Sequence, residues 1–162
     1  MRKIKLKKTK KYNIEYKYKD KIITYFINIL MKNGKKNLAY KIIYKTLKII
    51  EKKKIKKNNI EVLPIDILKE SLNNISPQVI IKNKKIGGSK YNIPIKINDK
   101  KKLFLSIKWL IFFSKKRKEK NIYNKIANEI ILSYNGLGEC IKKKNEIHKI
   151  AESNKSYSHF KV

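Results

Sequence analysis

Apolar residues recur three and four positions apart along most of this chain, and they alternate with polar ones in a single stretch. Ile22, Ile23, Phe26, Ile27 and Leu30 share one face of a helix that Asp20 can cap. It runs to about Met31 and ends at Asn33-Gly34. Leu38, Ala39, Ile42, Ile43, Leu47 and Ile50 stripe a second helix, with Asn37 as its candidate N-cap. The run up to Asn59 reads as a polar loop. Pro64 suits the first position of a third helix, which carries Ile65, Leu68, Leu72 and Ile75. Ser76-Pro77 stops it, because the residue before a proline is pushed out of the α region. Asn98-Asp99 opens a fourth helix with Leu103, Ile107, Leu110 and Ser114 on one side. Lys101, Lys108 and Lys115 make a narrow stripe on the other, and Trp109 falls near the boundary. Asn121 is a candidate cap for a fifth helix holding Tyr123, Ile126, Ala127, Ile130 and Tyr134, which Asn135-Gly136-Leu137-Gly138 stops. A sixth resumes at Glu139 with Ile141, Ile147, Ile150 and Ala151.

The one β signal is the stretch from Val79 to Ile97. Two β-branched runs flank Gly87-Gly88-Ser89, the pattern of a hairpin whose tip needs positive φ. Tyr91, Ile93, Ile95 and Ile97 share a face of the second run, while Pro94 fits a two-stranded ribbon better than the middle of a sheet. The expected fold is mainly α: about six helices with a two-stranded β-hairpin arm, at 79–97, inserted between the third and fourth. We expect a basic tail over 1–19 and one helical domain over 20–162.

Charge sharpens this picture. Among 162 residues, 43 Lys+Arg stand against 12 Asp+Glu, a net charge of +31. That much self-repulsion points to a polyanionic partner, and a lysine-studded ribbon suggests an arm held by nucleic acid. No membrane partner is expected, since the lysines are not gathered on one amphipathic helix and the apolar runs are too short to span a bilayer. Arg2 and Arg117 are the only arginines. Phosphate contacts would therefore be mostly point charges from lysine rather than bidentate forks. Lysine, isoleucine and asparagine exceed half the chain. Their codons are A/T-rich, which suggests the genome of a reduced plastid, a mitochondrion or an endosymbiont. With neither a secretory nor an import-type leader in its N-terminal pattern, an organellar protein of this kind is expected to be made where it works.

Catalytic chemistry is not expected. Cys140 stands alone, so neither a disulfide nor a cysteine zinc site is implied. His148 and His159 lack any metal-binding spacing, and Glu139, Glu146 and Glu152 read as helix surface charges. Neither Gly34-Lys35-Lys36 nor Ile86-Gly87-Gly88-Ser89 has the spacing of a phosphate loop. No cofactor and no metal are expected.

Three separated stretches resemble one family. Met31 to Ala39, with Gly34-Lys35-Lys36, resembles its helix-connecting segment. Ile86-Gly87-Gly88-Ser89 and Tyr91-Asn92-Ile93-Pro94-Ile95 resemble its hairpin. His148-Lys149-Ile150-Ala151-Glu152-Ser153-Asn154-Lys155 and Ser158-His159-Phe160 resemble its C-terminal helix. Between them, Lys108-Trp109 and Ser114-Lys115-Lys116-Arg117 resemble two shorter elements. The family is the universal small-subunit ribosomal protein seven, bacterial and plastid type, and Leu38 to Tyr44 looks most like its plastid members. The resemblance implies a structural protein of the small ribosomal subunit, located in the ribosome, here in a plastid. Its implied partners are the 3′ major domain of small-subunit rRNA, neighbouring proteins of the head and platform, and the nearby exit-site tRNA and mRNA.

The candidate RNA-binding residues follow. They are Lys3 and Lys8 in the tail; Lys35 and Lys36 in the first connection; and Lys82, Lys84, Lys85, Gly87, Gly88 and Lys90 on the hairpin. Lys101, Lys108, Trp109, Lys115, Lys116 and Arg117 belong to the fourth helix and its exit, and Lys142, Lys143, Lys144, His148, Lys149 and Lys155 to the last helix and its end. Lysine replaces a family arginine at Lys84, Lys85, Lys101, Lys108, Lys116, Lys149 and Lys161, and the loop from Lys53 to Glu61 is longer than usual.

Two other classes compete. A DNA-bending architectural protein would also use a β-arm, but it needs an apolar wedge at the tip to unstack bases, and this tip is Gly87-Gly88-Ser89. An RNA-modifying enzyme would need a nucleophile, metal or cofactor site that the sequence does not offer.

Overall fold

The structure, a computed structural model, describes residues 18–53, 56–57 and 60–160. Nearly all of the expected basic tail, including Lys3 and Lys8, lies outside them. The elements run α1 (Lys21–Leu30), α2 (Lys36–Lys52), β1 (Lys56–Lys57), β2 (Ile60–Glu61), α3 (Pro64–Ile75), β3 (Val79–Ile86), β4 (Ser89–Lys96), α4 (Asp99–Lys116), α5 (Ile122–Tyr134) and α6 (Glu139–Ser153). A 3₁₀ segment, Lys155–Phe160, closes the described chain. Six helices with a hairpin between the third and fourth is the architecture the hydrophobic pattern predicts.

Local chemistry explains most boundaries. The Asp20 carboxylate caps α1 by accepting from the Ile22 N–H at 2.7 Å, and it pairs with Lys69 Nζ at 2.7 Å, tying α1 to α3. Burial pushes the Asp20 carboxyl up, but the bonds from Lys69 and Ile22 outweigh it and hold the group below its ordinary value. Pro64 takes the first turn of α3, where its missing N–H costs nothing. Asn98 caps α4 by accepting from the Lys101 N–H at 3.1 Å. After α5 the Gly136 N–H returns to the Ser133 carbonyl and the Leu137 N–H to that of Leu132, the paired closure of a Schellman stop.

Three boundaries differ from the pattern. Asn37 does not cap α2, which begins at Lys36. Asn33 and Gly34 both have positive φ, 51° and 72°, and turn the chain so tightly that the Lys36 N–H reaches the Gly34 carbonyl at 2.7 Å. Asn121 stands at the predicted cap of α5, yet its side chain makes no cap bond. The polar loop after α2 holds a small antiparallel ribbon, with Lys56 opposite Glu61 and Lys57 opposite Ile60. Strands of two residues are too short for any alternation to show.

The core centres on α5, which packs against α2, α3 and α4. Ile126 and Ala127 of α5 are fully buried, in one cluster with Phe26 and Ile27 of α1, Leu47 and Ile50 of α2, Leu68 and Ile75 of α3, and Ile107 and Leu110 of α4. Ser71, Ser106 and Ser114 lie inside this core as small residues. Their hydroxyls donate back to carbonyls of their own helices, those of Leu68, Lys102 and Leu110, so no donor is stranded.

The hairpin pairs Val79 with Lys96 through to Ile86 with Ser89. Gly87 and Gly88 form its tip with φ of 56° and 87°, the double left-handed turn that a two-residue loop favours. The arm stands free only near its tip, since Tyr91, opposite Lys84, still meets Tyr157 of the 3₁₀ segment. Its root is seated on α6 and the 3₁₀ segment. Ile93 and Pro94 are buried there, the Tyr91 and Tyr157 rings meet at 5.0 Å, and the Gln78 N–H donates to His148 Nε2 at 3.2 Å.

Candidate nucleic-acid interface

The outer hairpin presents exposed cations around an open tip. Lys82, Lys84, Lys85 and Lys90 are all exposed. A Cβ added at Gly87 or Gly88 would meet nothing within 4 Å. The antiparallel register puts Lys85 opposite Lys90 and Lys84 opposite Tyr91, so ammonium groups crowd one end of the ribbon. Like charges placed opposite each other cost stability unless a counter-charge arrives. Two residues beyond β4, α4 begins and carries the cationic surface onward: Lys101, Lys108, Lys115 and Lys116 are exposed along it. Trp109 is half-buried against the core, a packing residue rather than a free platform.

A second cluster of cations gathers where α1 ends and α2 begins. Lys32, Lys35 and Lys115 rim a groove of about 220 Å³ whose walls include Leu30, Leu38, Ala39, Ile42 and Ile122. Burial pushes the Lys115 ammonium down, and the nearby Lys32 charge lowers it further. Lys32 and Lys115 are thus neighbouring cations on one groove. Lys36 instead lies over the Tyr40 ring, 5.7 Å from its centroid.

Other candidate residues have internal work. Arg117 Nε bonds Glu119 Oε1 at 2.9 Å, and its Nη1 bonds Glu129 Oε2 at 2.9 Å. The Glu129 side chain is 2% exposed, so Arg117 neutralises a carboxylate inside the protein. A bond from Asn128, the Glu119 backbone N–H and the Arg117 charge pull the Glu119 carboxyl down to about 2. Beside this pair, burial pushes the Cys140 thiol up, with Glu129 adding to it; the thiol stays protonated and unreactive. Lys142 pairs with Glu139 and Lys143 with Glu146 on the surface of α6, while Lys144 Nζ donates to the Asn74 carbonyl at 2.7 Å. His148 holds the hairpin root through Gln78. Lys149 and Lys155 are exposed. The lysines of α6 therefore split into surface pairs, a strut to α3, and open charges.

Phe104 and Phe112 escape the sequence reading: both are exposed, inside the lysine stripe of α4. A full helical wheel would have found them, since positions 104, 108, 112 and 115 follow one another by three or four. Lys32 was missed as well, because its neighbourhood is made by α4, far along the chain.

Comparison with known proteins decides the family. Residues 1–155 match the family described as ribosomal protein S7p/S5e. The small ribosomal subunit protein uS7 of Cytophaga hutchinsonii is 38% identical over 145 residues, covering 90% of each chain. That of Campylobacter concisus is 40% identical over 144 residues, 89% of each chain. That of Leptospira biflexa is 41% identical over 145 residues, 90% of this chain and 88% of its own. This chain belongs to the S7p/S5e ribosomal protein family. Its members are structural ribosomal proteins and not enzymes. Membership gives the paired glycines and the flanking lysines a common setting, the ribosome. Among the described residues no cluster of three or more His, Cys, Asp or Glu could hold a metal ion, and no helix is long and apolar enough to cross a membrane.

Proposed function

We propose that this chain is a structural constituent of the small ribosomal subunit and a primary binder of the 3′ major domain of its rRNA. In this reading it helps assemble the subunit head and lies near the exit-site tRNA and the mRNA path, touching neighbouring proteins of the head and platform. The carrying observation is the cationic run from the outer hairpin along α4, where Asp99 is the single carboxylate between Val79 and Lys118. Lys82, Lys84, Lys85, Lys90, Lys101, Lys108, Lys115 and Lys116 would neutralise phosphates, with Lys35 and Lys36 adding to them from the start of α2. Gly87 and Gly88, lacking Cβ atoms, would let the backbone approach the RNA closely. Point-charge contacts fix position, and the shape of folded RNA supplies selectivity. We place that ribosome in a plastid; the A/T-biased composition fits a plastid, a mitochondrion or a bacterial endosymbiont alike, and the three relatives compared are bacterial.

Two measurements test this. The native protein should co-sediment with small ribosomal subunits. Its affinity for a transcript of the rRNA domain should fall about 10³- to 10⁵-fold between roughly 50 and 200 mM salt if on the order of 6–10 phosphates are neutralised. A flat salt response, or sedimentation away from the subunits, overturns the reading.

A further inference from the structure

Helix α4 carries apolar residues on both of its faces. Ile107, Leu110, Ile111 and Ser114 face the core. On the opposite side Phe104 is 39% and Phe112 51% exposed. Neither ring belongs to the core or packs against it, and what sets the two apart from the other exposed apolar residues is that they share one face with lysines. They lie eight residues apart, about 12 Å along the axis, and the residues interleaved with them are Lys101, Lys108, Lys115 and Lys116. Lys108 Nζ lies 5.9 Å from the Phe104 centroid, and Lys116 Nζ lies 4.6 Å from that of Phe112. Phe113 meets Phe112 edge-on at 5.2 Å, bracing one side of that ring.

We infer that Phe104 and Phe112 form a stacking platform for two unpaired bases of RNA, with the interleaved lysines on the flanking phosphates. Four ammonium groups and no carboxylate on this face select a polyanion over an acidic-and-apolar protein surface or a neutral one. The rings select a polyanion that has flat apolar faces to offer. Duplex RNA hides its base faces inside the stack, whereas looped or single-stranded nucleotides present them. The inference rests on the RNA-binding function proposed above and deepens it: charge alone needs no aromatic rings.

The test uses the full chain and two probes, a short oligoadenylate and the same strand annealed to oligouridylate. The Phe104→Leu/Phe112→Leu pair keeps apolar bulk but removes the rings. It should bind the single strand about 30-fold or more weakly, bind the duplex as the parent does, and keep the parent's salt slope, because no charge is lost. The Phe104→Tyr/Phe112→Tyr pair should bind both probes normally. Should the leucine pair fail to fold, Phe112→Leu alone carries the same test, with about fivefold expected. Equal single-strand binding by parent and leucine pair overturns the platform while leaving the proposed function standing. If those variants bind RNA normally yet enter small subunits poorly, the face docks a protein and the inference is wrong. A parent chain that binds neither probe nor the rRNA transcript fails the function reading and this inference together.

Discussion

The helical body and the hairpin flank spend their side chains differently. Around α5 the side chains largely satisfy one another: isoleucines and leucines are fully buried, the Ser71, Ser106 and Ser114 hydroxyls bond their own helices, and Arg117 closes on Glu119 and Glu129. In the flank, α6 buries only Cys140 and Ala151, and the hairpin only Ile93 and Pro94. Its outer lysines face solvent and its tip is open. A region whose groups are internally satisfied can specify a fold alone. A region of like charges with little burial gains its stability from whatever supplies the opposite charge. Changes in the body should therefore appear in the folding free energy, and changes in the flank in RNA affinity.

Arg117 gives the largest expected effect, because the sequence grouped it with the interface and the geometry groups it with the body. Arg117→Met removes the cation that faces the Glu129 carboxylate. Breaking a buried pair from one side costs about 3–5 kcal/mol, and the partial exposure of Arg117, 26%, puts the value near the lower end. That is a large share of a typical domain's stability. Denaturant unfolding reads it directly. A loss of RNA affinity with no loss of stability would move Arg117 back to the interface.

The converse change is Lys84→Glu with Lys85→Glu and Lys90→Glu. All three are exposed on the outer hairpin. Affinity for the rRNA transcript should drop and the salt slope should shrink by about three, one for each phosphate that no longer meets an ammonium group. Helical circular dichroism and the melting temperature should hold. If the helices melted with the binding, the hairpin would be a structural part of the body and the contrast between the two regions would fail.

Gly87→Val with Gly88→Val attacks the tip through the backbone alone. No neighbour lies within 4 Å of either new Cβ, so the cost is the left-handed φ itself, roughly 1–3 kcal/mol per residue. Frayed pairing at the tip should reduce incorporation into small subunits while the body melts as before. Gly87→Asn should be tolerated, since asparagine followed by glycine suits this turn. Normal incorporation of the valine pair would make the tip a mere connector.

Much of this was legible in the residues. Helical periodicity, Pro64, Asp20, Asn98 and the Gly136 stop are local signals, and each element they predict is present. What escaped depends on residues distant in sequence. The seat of the hairpin on α6 needs His148 to meet Gln78, and the use of Arg117 needs Glu129 across a helix pair. Phe104 and Phe112 were hidden for another reason. An exposed phenylalanine and a buried one look alike until the core face of the helix is fixed, and α4, apolar on both sides, leaves that face ambiguous.

The smallest expected effect lies at the joint between the two regions. His148 Nε2 accepts the Gln78 N–H at 3.2 Å, so the ring must be neutral there with its proton on Nδ1. Burial and then the Lys144 charge lower its pKa from the ordinary 6.5. A depressed histidine binds fewer protons in the folded state than in the unfolded one. The stability it contributes is thus present above about pH 6.5 and lost as pH falls through the folded value. Asp20 and Glu119, both held below the usual carboxylate range, titrate at more acid pH and do not share this window. Amide hydrogen exchange at Gln78 and Tyr91, corrected for intrinsic rate, should therefore speed up between pH 7.5 and 5 (about one unit and more on either side of the ordinary value). Exchange at Ile130, fully inside the body, should not respond. His148→Gln keeps an acceptor without a titrating proton and should abolish the response. If the glutamine variant kept the same pH dependence, or if Ile130 followed Gln78, the hairpin root would not be a separately titrating joint.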